Sequence, residues 1–364
     1  MKLHGFELHL LKLPLKVPYH LAFGDLTHFD TIVVEARDDQ GRVGYGEATL
    51  LAAYGGETVE DAWAFCRDRG RDLAGHTTTA ARDDLARWLH DYPFAVTALT
   101  TAIEMVEGNP ILSPSAEIRV PLLGPVNGTD HAAIPDEVEG LLEQGYGTLK
   151  VKVGFDLEAD LARVAVIQRA VAGRVMVRLD GNQGYDRGDA CRFAAEVDAD
   201  GIELFEQPCA AGDWESAKAV AEVSRVPMML DESIFGVEDI DRAADLGAAS
   251  FIKLKLLKMG GLDRLADALE HIRARGMEPV LGNGVSSDIG CWMEACVAAR
   301  VIRNAGELNG FLRPVSGIFV EPLAMDGGAI VLSPDFIPVL DTDKVAAFTV
   351  ATERCGAAAV AVGR

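Results

Sequence analysis

Basic charge is scarce in this chain: 34 Lys and Arg stand against 56 Asp and Glu, a net charge of −22 at pH 7. A surface that tracks phosphates needs clustered Lys and Arg, and no basic run is present, so nucleic acid and anionic membranes are excluded as partners. Zinc-type spacing is absent as well. Cys66, Cys191, Cys209, Cys291, Cys296 and Cys355 include no CxxC pair and no accompanying His-rich set, and they read as reduced, mostly buried thiols of a cytosolic protein. No uncharged apolar stretch reaches the roughly 18 residues that span a bilayer. The N-terminal alternation, interrupted by His9, Lys12 and Lys16, lacks a secretory h-region. A cytoplasmic protein is expected. No low-complexity linker occurs either, so its domains are expected to be docked rather than tethered.

What is present is an ordinary globular composition, 49% hydrophobic over 364 residues, long enough for two or three domains or for one large barrel with an additional domain. Alternating runs fill residues 1 to 50, among them Phe6 to Leu10 and Thr31 to Ala36, with Gly41, Gly44 and Gly46 at turns. These predict an antiparallel sheet. From Thr58 to Glu107 the apolar positions fall at helical spacing until Gly108-Asn109-Pro110 stops them. Strands and helices in separate blocks predict an α+β domain over 1–118.

From Arg119 onward, short apolar runs alternate with helical segments. The strand candidates are 120–123, 148–153, 175–180, 202–206, 227–231, 251–256, 279–282 and a weak one at 307–311. Eight such units predict a parallel, TIM-like (β/α) barrel over 119–315. Residues 316–364 return to alternation and are expected to pack back on the first domain.

Charged residues gather at the strand ends. In Leu149-Lys150-Val151-Lys152-Val153 the period of two places both lysines on one face, the barrel interior. Buried ammonium groups need partners, so this pattern fits a structural ion pair or a functional group. The next three strands end in Asp180, Glu206 and Asp231, spaced 26 and 25 residues apart, one βα unit each. A single acid there is a helix N-cap by default. Three in succession bring three carboxylates to one rim, an all-oxygen site of the Mg²⁺ type. Lys253 and Lys255 of Phe251-Ile252-Lys253-Leu254-Lys255 point inward by the same alternation, with Lys258 in the following loop. Strands two and six of an eight-stranded barrel are opposed, so Lys152 and Lys255 are expected to face each other across a substrate. A lysine flanked by cations and partly desolvated can serve as a base, with its protonated counterpart as the acid.

Lys150-Val151-Lys152, Asp180-Gly181-Asn182-Gln183, Glu206-Gln207-Pro208, Asp231-Glu232-Ser233 and Lys255-Leu256-Leu257-Lys258-Met259-Gly260-Gly261, in this order and spacing, resemble the enolase superfamily. The resemblance is to the muconate-lactonizing subgroup of its mandelate racemase/muconate lactonizing enzyme family, and it spans nearly the whole chain. It implies that Asp180, Glu206 and Asp231 bind Mg²⁺, that Lys152 and Lys255 are acid/base catalysts, and that Lys150 assists electrostatically. It further implies a capping domain whose loop near His20 to Asp30 closes over the substrate, and a homo-oligomer. Gly44-Tyr45-Gly46-Glu47-Ala48 matches a structural turn of that cap. Pro279-Val280-Leu281-Gly282-Asn283 lacks the histidine base of the mandelate-racemase branch. No Asp-x-Asp stands in 300–320, which disfavours an Ala-Glu epimerase. Glu307, in a segment where cycloisomerases carry a Glu, is either a secondary site residue or a solvated loop acid. Asn182, His20, Phe23 and Tyr54, together with His28 and Phe311, are candidates for contacting a small carboxylate substrate.

The implied chemistry is proton abstraction α to a carboxylate, with Mg²⁺ stabilising the enediolate. Two opposed lysines suit racemisation or epimerisation of an amino-acid derivative. A muconate-type cycloisomerase and an o-succinylbenzoate-synthase-like dehydratase would keep the same residues. A non-catalytic barrel binding protein would have to explain five inward charges at great desolvation cost.

Overall fold

A computed structural model describes residues 1–21, 24–51 and 56–356, the side chains of residues 20, 21 and 24 excepted. The N-terminal alternation forms the expected antiparallel sheet. Its strands are β1 (Leu3–Leu21), β2 (Gly24–Asp38) and β3 (Val43–Leu50). Three helices follow: α1 (Val59–Leu73), α2 (Thr78–Ala86) and α3 (Pro93–Glu107). Thr58 and Thr77 cap the first two by accepting from Asp61 N and Ala80 N. Gly108, at φ 75°, ends α3 in the left-handed conformation that favours glycine. Leu8, Ile32 and Val34 of the sheet meet Phe65, Leu99 and Ile103 of the helices in one buried apolar cluster.

The remaining elements are β4 (Ile118–Pro121), β5 (Leu123–Val126), α4 (Ile134–Glu143), β6 (Thr148–Lys152), α5 (Leu157–Val171), β7 (Met176–Asp180), α6 (Arg187–Glu196), β8 (Ile202–Glu206) and α7 (Trp214–Val223). They continue with β9 (Met228–Leu230), α8 (Val237–Leu246), β10 (Phe251–Leu254), α9 (Leu256–Met259), α10 (Leu262–Ala274), β11 (Glu278–Leu281), α11 (Asp288–Val301), β12 (Ala324–Asp326), β13 (Ala329–Leu332), α12 (Thr342–Phe348) and β14 (Thr349–Gly356). Strands β5 to β11 pair in sequence order as a seven-stranded parallel sheet. Helices cover one of its faces, and charged side chains gather at the carboxyl ends of its strands.

Two of the eight expected strands differ. Residues 118–121 pair antiparallel with β13, and the first parallel strand is β5, Leu-Gly-Pro-Val. Gly and Pro read as a turn in sequence. Here Gly124 packs closely, since a Cβ would sit 3.0 Å from the Tyr146 ring, which would have to shift to admit it. The eighth candidate is no strand. Gly306 bridges Leu122 and Glu307 bridges Gly282, so one short segment links the two edges of the sheet through isolated pairs. Four backbone hydrogen bonds carry this link: Leu123 N to Gly306 O, Gly306 N to Pro121 O, Glu307 N to Leu281 O and Asn283 N to Glu307 O, at 2.8–3.1 Å.

The two halves interlock. β14 adds to the N-terminal sheet beside β1. Glu47 of β3 accepts from Ser287 N at 2.8 Å and from the Ser287 hydroxyl at the start of α11. Glu104 of α3 accepts from Leu262 N at 2.7 Å at the start of α10. A helix N-terminus leaves backbone donors unsatisfied, and a carboxylate from the other half supplies the acceptor.

Candidate active site

Alternation delivers the charged groups to one rim. Asp180 and Glu206 are the last residues of β7 and β8, and Asp231 directly follows β9; each is 1–2% exposed. Lysines from both flanks stand between them. Lys150 of β6 lies 2.8 Å from Asp180, 3.0 Å from Glu206 and 2.9 Å from Glu307. Lys253 of β10 lies 3.0 Å from Glu206 and 3.5 Å from Asp231, and pairs with Glu307. Lys255 Nζ is 2.8 Å and Lys258 Nζ 2.9 Å from Asp231 oxygens.

Burial alone would discharge these groups, and the pairing reverses it for most. Burial lowers Lys150, but Asp180, Glu206 and Glu307 outweigh it and hold the ammonium well above the ordinary lysine value. Lys253 behaves in the same way beside Glu206, Glu307 and Asp231. Burial raises Asp231, yet Lys255, Lys258 and Lys253 hold it well below the carboxylate range. Glu307 is likewise depressed by Lys150 and Lys253 against the effect of burial. For Lys258 burial wins and the ammonium is lowered.

Three placements differ from the sequence reading. Lys152 is exposed at the end of β6, whereas Lys150 and Lys255 are buried; alternation puts side chains on one face but does not say how deep each lies. Lys258 is not in a solvent loop: β10 ends at Leu254, and α9 turns Lys258 inward onto Asp231. Glu307 is not a solvated acid either, because the bridge to Gly282 carries it between Lys150 and Lys253. Asn182 joins the cluster, donating through Nδ2 to Glu232 at 3.1 Å. Phe311 is buried, and His28 lies 3.5 Å from Asp30 on β2. Phe23, Tyr54 and the His20 side chain lie outside the described residues.

Gln207 stands in the Glu206-Gln207-Pro208 motif, whereas Arg163 and Asp160 carry no sequence signal of their own. Gln207 accepts from Asp231 N and Ser233 N at 3.0 and 3.1 Å and donates to Ser233 Oγ at 2.8 Å, tying the end of β8 to the loop after β9. It does so at φ 35°, and Asn182 and Gln183 also have positive φ, so backbone strain gathers at this rim. Arg163 donates to the Lys152 carbonyl at 2.8 Å. Asp160 accepts from Gly154 N and Phe155 N, setting the loop that follows Lys152.

Among the described residues, no three His, Cys, Asp or Glu side chains stand close enough together to hold a metal ion as they are, because Lys150 and Lys253 occupy the spaces between the carboxylates. The donor set nevertheless fits a hard dication. Asp180, Glu206 and Asp231 are oxygen donors on adjacent strands. Buried beside them, Asn182 Oδ1 and Glu232 Oε2 have no hydrogen-bond partner. Glu206, through burial and Asp180, is pushed up to about 7, and Glu232 is raised by burial and Asp231. The lysines thus leave anionic demand that a cation relieves.

The family described as enolase C-terminal domain-like matches residues 133–335. An L-Lys-D/L-Arg epimerase from Methylococcus capsulatus is 32% identical over 72% of this chain and 77% of its own. The chain belongs to the enolase superfamily, in its mandelate racemase/muconate lactonizing enzyme family. Within this family it is also similar to an N-succinyl-L-Arg/Lys racemase from Bacillus cereus, at 24% identity over 86% of this chain and 88% of that one. A muconate lactonizing enzyme from Pseudomonas fluorescens, solved with muconolactone, superposes with a TM-score of 0.87 at 25% identity, covering 96% of this chain and 99% of that one.

Proposed function

We propose that this protein is a metal-dependent racemase or epimerase of an amino-acid derivative, acting by removal of a proton α to a carboxylate. As a member of this family whose curated relatives are racemases and epimerases, it is an isomerase. The observation that carries the finer reading is the flanking of three acid-tipped strands, β7 to β9, by lysine-bearing strands on both sides, β6 and β10. In this reading Asp180, Glu206 and Asp231 hold Mg²⁺, which when bound supplies the positive charge that makes an α-proton acidic enough for a lysine. Lys152 and Lys255 remove and return the proton on opposite faces. Lys150 and Lys253 hold positive charge against the carboxylates, and Asp231 orients Lys255. Glu307 keeps those two ammonium groups in place. Inversion at one carbon needs a base on each face, and a single lysine would give exchange with retention.

The decisive experiment is proton NMR in D₂O with Mg²⁺, screening N-acyl amino acids, dipeptides and muconate-like diacids. Loss of the α-proton signal from both enantiomers is the expected result, and Lys255→Ala should retain exchange in one enantiomer while losing racemisation. Equal racemisation by Lys255→Ala and the parent would refute the two-base mechanism. A cycloisomerase is the second reading, favoured by the fold likeness to muconate lactonizing enzyme; consumption of a diene diacid without any α-exchange would establish it instead.

A further inference from the structure

The proposed chemistry leaves a second group of buried acids unused, at the contact between the N-terminal half and the barrel. Glu294 sits in the middle of α11, 1% exposed, with its neighbours Met293, Ala295 and Val297 also buried. A carboxyl placed there is costly unless it is bonded. Its Oε1 accepts from Leu256 N at 3.0 Å, and its Oε2 is buried without a partner. Together with Glu47, Thr97, Leu256, Asn283 and Ser286 it lines a cavity of about 20 Å³, room for one water molecule.

The bonded amide is the informative contact. Leu256 opens the one-turn helix α9, and Lys255 is its N-cap residue, extended at φ −129° and ψ 146°, with no side-chain cap of its own. The first amide of that turn therefore finds its acceptor 38 residues away, on Glu294. On the other side, the Lys255 ammonium lies 2.8 Å from Asp231. The backbone is held by one carboxyl and the side chain by another.

We infer that Glu294 is a positioning residue for Lys255, fixing the turn from which the Lys255 side chain reaches the reaction face. The inference rests on the reading of Lys255 as one of two bases. It separates Glu294 from the residues that shape the opposite face, since Lys152 is held through Arg163 and Asp160, on α5. Burial pushes Glu294 up to about 8 despite the Leu256 amide, so the carboxyl is neutral near pH 7 and glutamine reproduces its acceptor.

The test is enantiomer-resolved α-proton exchange in D₂O for the parent enzyme, Glu294→Gln, Glu294→Met and Glu294→Ala. Met keeps the bulk and Ala removes it, so a folding failure of one leaves the other to carry the comparison. In Met or Ala the enantiomer served by Lys255, identified as the one lost in Lys255→Ala, should exchange at least about tenfold more slowly. The other enantiomer should stay within about twofold, and Gln should restore both. An equal loss for both enantiomers, or no loss for either, overturns the positioning role while leaving the two-base reading intact. A parent enzyme that exchanges neither enantiomer overturns that reading, and this inference with it.

Discussion

Asp231 accepts from the Lys255 and Lys258 ammonium groups at 2.8 and 2.9 Å, and the Lys253 ammonium stands 3.5 Å away. Its charge therefore compensates three buried cations, and an amide cannot replace it. Breaking a buried charge network by removing one partner leaves the others uncompensated. Asp231→Asn should lower Mg²⁺-dependent turnover by roughly a hundredfold or more and weaken Mg²⁺ binding measured by calorimetry; full-rate turnover of the variant in EDTA would contradict its assignment to the metal. The acids at the strand ends were readable from their spacing of one βα unit, and the burial of Lys150 and Lys253 from period-two alternation. The depth of Lys152, the inward turn of Lys258 and the pairing of Glu307 were not. Each depends on where a strand stops and on which distant backbone it meets, and neither is a property of local sequence.

At the level of elements, the packing of β3 on α3 decides how the N-terminal half coheres. A Cβ on Gly46 would overlap the Ala98 carbonyl oxygen and lie 2.7 Å from Thr101 Oγ1. Backbone on both sides leaves no room for rearrangement. Gly46→Ala should cost about 3 kcal/mol, read as a lowered urea midpoint, and a midpoint equal to the parent's would show that β3 can shift away from α3. The Gly44-Tyr45-Gly46-Glu47-Ala48 segment is thus structural in two ways: its glycines admit the helix, and Glu47 fastens α11 through Ser287. The sheet and the helical block were legible from alternation and spacing. The glycines read as turns because close approach by another element has no sequence signature.

For the whole molecule, carboxyls buried between the halves link stability to pH. Glu104 is pushed from 4.5 up to about 7 by burial, with Leu262 N and Arg82 opposing. A raised acid binds its proton more tightly folded than unfolded, so its contribution is complete below pH 4.5 and is lost as pH rises to about 7, an effect of about 3 kcal/mol. Urea unfolding at pH 5 and pH 7.5 should show the parent losing more stability than Glu104→Gln across that interval. Parallel losses in the two proteins would remove Glu104 from the linkage. Among the described residues no helix is long and apolar enough to cross a membrane.

Local sequence was sufficient for the family, the parallel βα order from β6 to β11, and the identity of the charged residues at the strand ends. The family is implied by the resemblance of the motifs in their order and spacing, and the other two follow from side-chain alternation and from charged residues that recur once per βα unit. Tertiary structure alone decided that Gly124-Pro125 lies in a strand, that Gly306 and Glu307 link the sheet's edges, and that Glu294 supplies the acceptor for the amide after Lys255. In each of these the decisive partner is remote in the chain. A hydrogen bond or steric contact of that kind is specified by the assembled backbone and not by the pattern around either residue.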